Sequence, residues 1–139
     1  MSRPTFLCDA NLVIRLFQWD HDKLSPIAKK VFQQAEDGVH TLYFTNACIA
    51  EIIWVLTSFY EQDKKEVARI LGEFLQRPGL RVEQVKVVLA ALNDLQTKSV
   101  DYLDAFQARL ALEKGYSVMS FDQDFKKWPE LNWESPKAR

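Results

Sequence analysis

Two hydrophobic periods alternate along the chain. Thr5 to Cys8 has the apolar character of a short buried strand, and from Asn11 to Phe17 the apolar residues recur at helical spacing. Ser25-Pro26 opens a second helical stretch through about Glu36, with proline in the first turn and Gly38 behind it. Leu42 to Phe44 is the next strand. Thr45 or Asn46 can cap a helix to about Tyr60, whose buried face is marked by Cys48, Ile52, Val55, Leu56 and Phe59. A charged turn at Glu61 to Lys65 precedes a helix through about Leu75, stopped by Pro78-Gly79. Leu80 to Val82 is a short strand, and Val85 to Leu95 and Asp101 to Lys114 are helical, the second stopped by Gly115. Tyr116 to Ser120 is the last strand, and Asp122 begins a short helix ended by Pro129.

Strands separated by helices imply an α/β fold with a parallel sheet covered on both faces, whose strand carboxyl ends are where ligands bind. The 139 residues, 47% of them hydrophobic, suit one domain spanning 1-139. No apolar run approaches the roughly 18 residues that span a bilayer, and no leader pattern opens the chain, so a cytoplasmic protein without membrane contact is expected. Cys8 and Cys48 sit in apolar segments as reduced thiols, and His21 and His40 match no zinc spacing, so any metal site rests on oxygen ligands. A net charge of -1 excludes a protein that holds nucleic acid through a large positive field. It leaves room for a local phosphate track among Arg15, Arg69, Arg77, Arg81, Lys98, Arg109 and Lys114.

The acids carry the candidate chemistry. Asp9 is the only charged residue between Pro4 and Ile14, and Glu51 the only one between Asn46 and Tyr60. A carboxylate in apolar surroundings needs a metal or a cation, and an ion pair to Arg15 is the competing explanation. Asp104 occupies a helix's first turn, where the macrodipole alone favours an acid, with Asp101 as the expected N-cap. Asp122 has a capping role as its alternative, and Asp124 either joins the site or is a solvated surface acid. Taken together, Asp9 follows the first strand, Asp122 follows the last, and Glu51 and Asp104 lie in intervening first turns. Carboxylates converging there repel unless a hard divalent ion, Mg²⁺ or Mn²⁺, relieves them.

Leu7-Cys8-Asp9-Ala10-Asn11, Ala50-Glu51-Ile52 with Trp54-Val55-Leu56, Asp104-Ala105, and Gly115 through Ser120-Phe121-Asp122-Gln123-Asp124-Phe125 together resemble the PIN domains, and among them the VapC-type ribonuclease toxins. The resemblance implies a three-layer fold with a central parallel sheet of four to five short strands flanked by helices. It implies catalytic, metal-holding acids at Asp9, Glu51, Asp104 and Asp122, with Asp124 as a further metal candidate. Asn11 and Ser120 are implied as supporting residues, Ser120 standing where the family more often has Thr. It further implies Mg²⁺- or Mn²⁺-dependent hydrolysis of RNA phosphodiesters to 5′-phosphate and 3′-hydroxyl ends, a homodimer, and an antitoxin partner for which Phe17, Trp19, Phe59 or Tyr60 offers surface. The alternatives within the fold are a PIN nuclease of RNA processing and a PIN-like module that binds RNA or protein without cutting. A haloacid-dehalogenase-like phosphatase would need a second Asp where Asn11 stands. A receiver domain would need an acidic pair after the first strand.

Overall fold

In the computed structural model, which describes residues 3–137, five short strands alternate with six α-helices. Strand β1 (Thr5–Leu7) runs into α1 (Ala10–Gln18), which starts where Asp9 turns extended and its carboxylate accepts the Asn11 N–H at 3.2 Å. After α2 (Leu24–Glu36), β2 (Thr41–Phe44) leads to α3 (Asn46–Trp54), capped by the Thr45 hydroxyl, which accepts the Cys48 N–H at 3.1 Å. Periodicity carries this helix evenly to about Tyr60, whereas the chain widens into a π-helical turn over Val55–Phe59. The Thr57 hydroxyl there donates to the Ile53 carbonyl at 2.7 Å, a competing bond of the kind that bends helices. Then follow α4 (Lys64–Phe74), β3 (Leu80–Val82), α5 (Val85–Thr97), α6 (Tyr102–Lys114), β4 (Val118–Met119), a 3-10 helix over Gln123–Lys127 and β5 (Trp133–Glu134). No helix among the described residues is long and apolar enough to cross a membrane.

Every strand pair is parallel, as the α/β pattern requires. The strands are divided between two small sheets, β1-β2-β3 and β4-β5. Strand β5 escapes sequence analysis because two residues are too few to show a period of two. The division leaves β1 and β4 each with an edge on which no strand is hydrogen-bonded, and Leu7 and Met119 there are exposed.

Ile49 and Ile52 of α3, Leu71 of α4, Val88, Leu92 and Leu95 of α5, and Ala105 and Ala108 of α6 are buried together. Helix α5 packs against both α4 and α6. Within this core, Asp94 on α5 is 1% exposed. Its carboxylate accepts Arg109 Nε and Nη2 from α6 at 2.6 Å each, and Trp128 Nε1 at 2.9 Å. Just before β3, Gly79 has φ +85, and a Cβ there would lie 2.1 Å from the Ala35 carbonyl oxygen, so α2 and β3 meet at a place only glycine fits. Asp94→Ala leaves a half-buried guanidinium and a buried indole N–H without their acceptor and is expected to cost about 2–3 kcal/mol. Urea unfolding measures it, and a loss below about 1 kcal/mol would show that the pair contributes little.

Candidate metal centre

Asp9 follows β1, Thr45 follows β2 and Glu83 follows β3, so three polar residues end the three strands of the larger sheet. Asp9 and Glu51 line one groove of about 340 Å³ with Leu7, Cys8, Thr45 and Cys48. Both acids are exposed, so the desolvation cost expected from their apolar neighbours in sequence does not arise: Cys8, Ala10, Ile52 and Ile53 point inward and the carboxylates stay in water. Nor does Arg15 pair with Asp9. Its guanidinium lies 2.6 Å from Asp20, whose other oxygen accepts the Tyr60 hydroxyl at 2.9 Å. Among the described residues, neither Asp9 nor Glu51 has an ion-pair partner.

Cys8 and Cys48 are unbridged, as expected. Burial first, then charge from Cys48 and Asp9, pushes the Cys8 thiol up to about 12. Burial, then Asp9 and Glu51, pushes Cys48 up to about 11. Both are protonated at neutral pH, so the groove offers oxygen rather than thiolate donors.

The second half of the site lies on α6 and the segment after β4. Asp104, in the first turn of α6, meets Asp122 and Asp124 at the start of the 3-10 helix, one carboxylate oxygen of each lying within 4.8 Å of the others. Asp122 is fixed on two sides: its N–H donates to Ser120 Oγ at 3.0 Å, and its Oδ1 accepts the Asp124 N–H at 2.8 Å. It is therefore a cap as well as a member of the cluster. Lys127 stands 3.2 Å from Asp124. Partial burial first, then the charges of Asp122, Asp101 and Asp124, raise the Asp104 carboxyl above its ordinary range. Asp101 occupies the N-cap position of α6 but makes no side-chain capping bond, contrary to expectation; its charge adds to the field on Asp104.

Asp104, Asp122 and Asp124 share a cluster within 4.8 Å, while Asp9 and Glu51 line a groove at the end of β1. A hydrogen-bond chain that sequence analysis missed ties their supporting helices. The Tyr102 hydroxyl at the start of α6 donates to Asn46 Oδ1 at 2.8 Å, and the Asn46 N–H at the start of α3 donates to Glu83 Oε1 at 3.1 Å. The signal for Glu83 was its place after a strand, the same as that of Asp9. Asn11 contributes its backbone N–H to Asp9, and its side chain is exposed. The candidate phosphate track is depleted, since Arg15, Arg69, Arg77 and Arg109 are engaged by Asp20, Glu66 with Glu73, Glu36 and Asp94.

Three carboxylates at this separation, one of them with its proton affinity raised by its neighbours, suit a hard divalent cation, which takes oxygen ligands and relieves that repulsion. Because the folded state raises the Asp104 pKa, its ionisation costs stability at neutral pH, and the cost fades as pH falls through the raised value toward the unfolded one. Asp104→Asn is therefore expected to raise the melting temperature of metal-free protein at pH 7 and to diminish the further rise that Mg²⁺ or Mn²⁺ produces. Calorimetry with and without EDTA checks both, and an unchanged metal-induced rise would remove Asp104 from the ion's surroundings.

No curated protein matches the chain. The model of the PIN domain family matches residues 6–131, which include every acid of both groups. PIN domains are generally metal-dependent nucleases, and with nearly all of its length matched the chain belongs to the PIN domain family.

Proposed function

We propose that the protein is an endoribonuclease that hydrolyses RNA phosphodiester bonds with Mg²⁺ or Mn²⁺, and that it is the toxin of a toxin-antitoxin pair of the VapC type, its residues 1-139 acting as one nuclease domain. The observation that carries the reading is the convergence of Asp104, Asp122 and Asp124 within 4.8 Å in a PIN domain. These three would hold the ion, with Asp9 and Glu51 presenting exposed carboxylates from the groove at the end of β1. When bound, the cation supplies neutralisation of charge at the scissile phosphate and the leaving oxygen.

The chain's own groups do the positioning. Asp122 is aimed by Ser120 Oγ, and Asp104 by the start of α6, which Tyr102 anchors to Asn46. Asp9 and Glu51, solvated and without cationic partners among the described residues, are free to accept a proton from water entering the groove. Attack on phosphorus with departure of the 3′ oxygen leaves 5′-phosphate and 3′-hydroxyl ends. No residue is needed as a covalent nucleophile.

The partner assignments belong to the same proposal. A groove of about 370 Å³ at the far end of α1, lined by Leu16, Trp19 and Phe32 with Lys29 and the Arg77–Glu36 pair, offers an antitoxin segment apolar surface with a polar rim. Phe59, exposed at the end of the π-helical turn, offers surface to a second copy. Phe17 and Tyr60 are largely absorbed by contacts with Phe74 and Asp20. Sedimentation at micromolar concentration is expected to show a dimer, and a monomer would remove that part of the proposal.

Purified protein is expected to cleave end-labelled RNA with Mg²⁺ or Mn²⁺ and not with EDTA. Asp9→Asn and Asp104→Asn should each lose about 100-fold or more in rate while folded, and Ser120→Ala, which frees Asp122 to turn, about 10-fold, with Ser120→Thr retaining activity. Equal cleavage by wild type and both Asn variants would sink the assignment.

A further inference from the structure

Resting on the nuclease reading, we infer that Trp54 and Phe121 are stacking platforms for unpaired bases, one a helical turn beyond Glu51 and one adjoining Asp122 in the chain. Trp54 lies three residues beyond Glu51. Ala47, Glu51, Trp54 and Ser58 are all exposed, the spacing of a single helix face, so the indole stands one turn from the carboxylate along the same surface. Phe121 immediately precedes Asp122. Trp54 is 65% and Phe121 77% exposed, and among the described residues neither ring is paired with another aromatic ring or with a cation. The contrast is with Trp128 and Trp133, whose indole N–H groups are bonded to Asp94 and to the Ser120 carbonyl. The Trp54 indole has no such acceptor among the described residues.

Charge decides the kind of occupant. The protein carries a net charge of -1, and four of its seven candidate phosphate-binding cations are held by carboxylates, so the backbone of a bound strand receives little electrostatic grip. Base stacking on aromatic faces needs no such field and tolerates any sequence, and it is open only to bases that are not already stacked in a duplex. Two exposed rings, one a helical turn beyond Glu51 and one adjoining Asp122 in the chain, are open to supply that grip. The strand would therefore be single-stranded where it is cut, with a base on each ring.

The test measures binding apart from cleavage. A fluorescent single-stranded oligoribonucleotide is titrated by anisotropy against intact protein with Ca²⁺ in place of Mg²⁺, and cleavage is followed separately with Mg²⁺. Trp54→Ala and Phe121→Ala are each expected to weaken binding about 10-fold, with Trp54→Phe losing little. Abasic sites walked along the oligonucleotide should reproduce each loss at one position, and at that position add nothing further in the matching Ala variant. That cancellation is not produced by misfolding. Abasic sites without effect, or losses that do not cancel, would overturn the platforms even if cleavage with Mg²⁺ is intact. Binding that behaves as expected in a protein that never cleaves would keep the platforms and remove the nuclease. If Trp54→Ala instead converts a dimer into a monomer with RNA affinity unchanged, the Trp54 face belongs to a second copy and the inference fails.

Discussion

The buried carboxylate of Asp94 is the point on which the site-bearing half of the molecule depends. Its two oxygens receive Arg109 from α6 and Trp128 from the segment beyond the 3-10 helix, so one side chain on α5 holds both elements. Those two elements carry the acidic cluster: Asp104 sits five residues before Arg109, and Asp124 four before Trp128. Repulsion among Asp104, Asp122 and Asp124 pushes these elements apart, and the clamp holds them from the inside. A satisfied interior ion pair is an inefficient source of stability compared with apolar packing. Here it gives alignment between two helical starts.

The other half of the site is held differently. Asp9 follows β1 and Glu51 lies in the second turn of α3, not the first turn expected of it, with no salt bridge to restrain either among the described residues. What relates them to the cluster is the Tyr102, Asn46 and Glu83 chain, whose members are shielded from water to differing degrees. Burial followed by the Glu83 charge raises the Tyr102 hydroxyl's pKa, so it stays a donor at all ordinary pH. The site thus combines a rigid cluster with a solvated groove.

Much of this was legible in the sequence. The order of strands and helices follows from periodicity, and Asp9, Asp104 and Asp122 could be picked out because each stands after a strand or in a first turn. What failed were inferences about surroundings. Asp9 and Glu51 look desolvated in sequence because their neighbours are apolar, yet a helix start places adjacent side chains on opposite sides, so the core takes Ala10, Val13 and Ile52 while the acids face water. Asp94 looks like one more polar position on an amphipathic helix, and its partners lie 15 and 34 residues away, beyond any local pattern. The split of the sheet was hidden for the same reason, since strand pairing is decided by tertiary packing rather than by the two or three residues of each strand.

Cys8 and Cys48 add a property of a different kind. Both thiols sit beside the acids and are held protonated by burial and by the negative charge around them. Oxidants and alkylating agents attack the thiolate, so both cysteines are slow targets while the groove is intact. Their labelling becomes a clock for the opening of the groove that buries them.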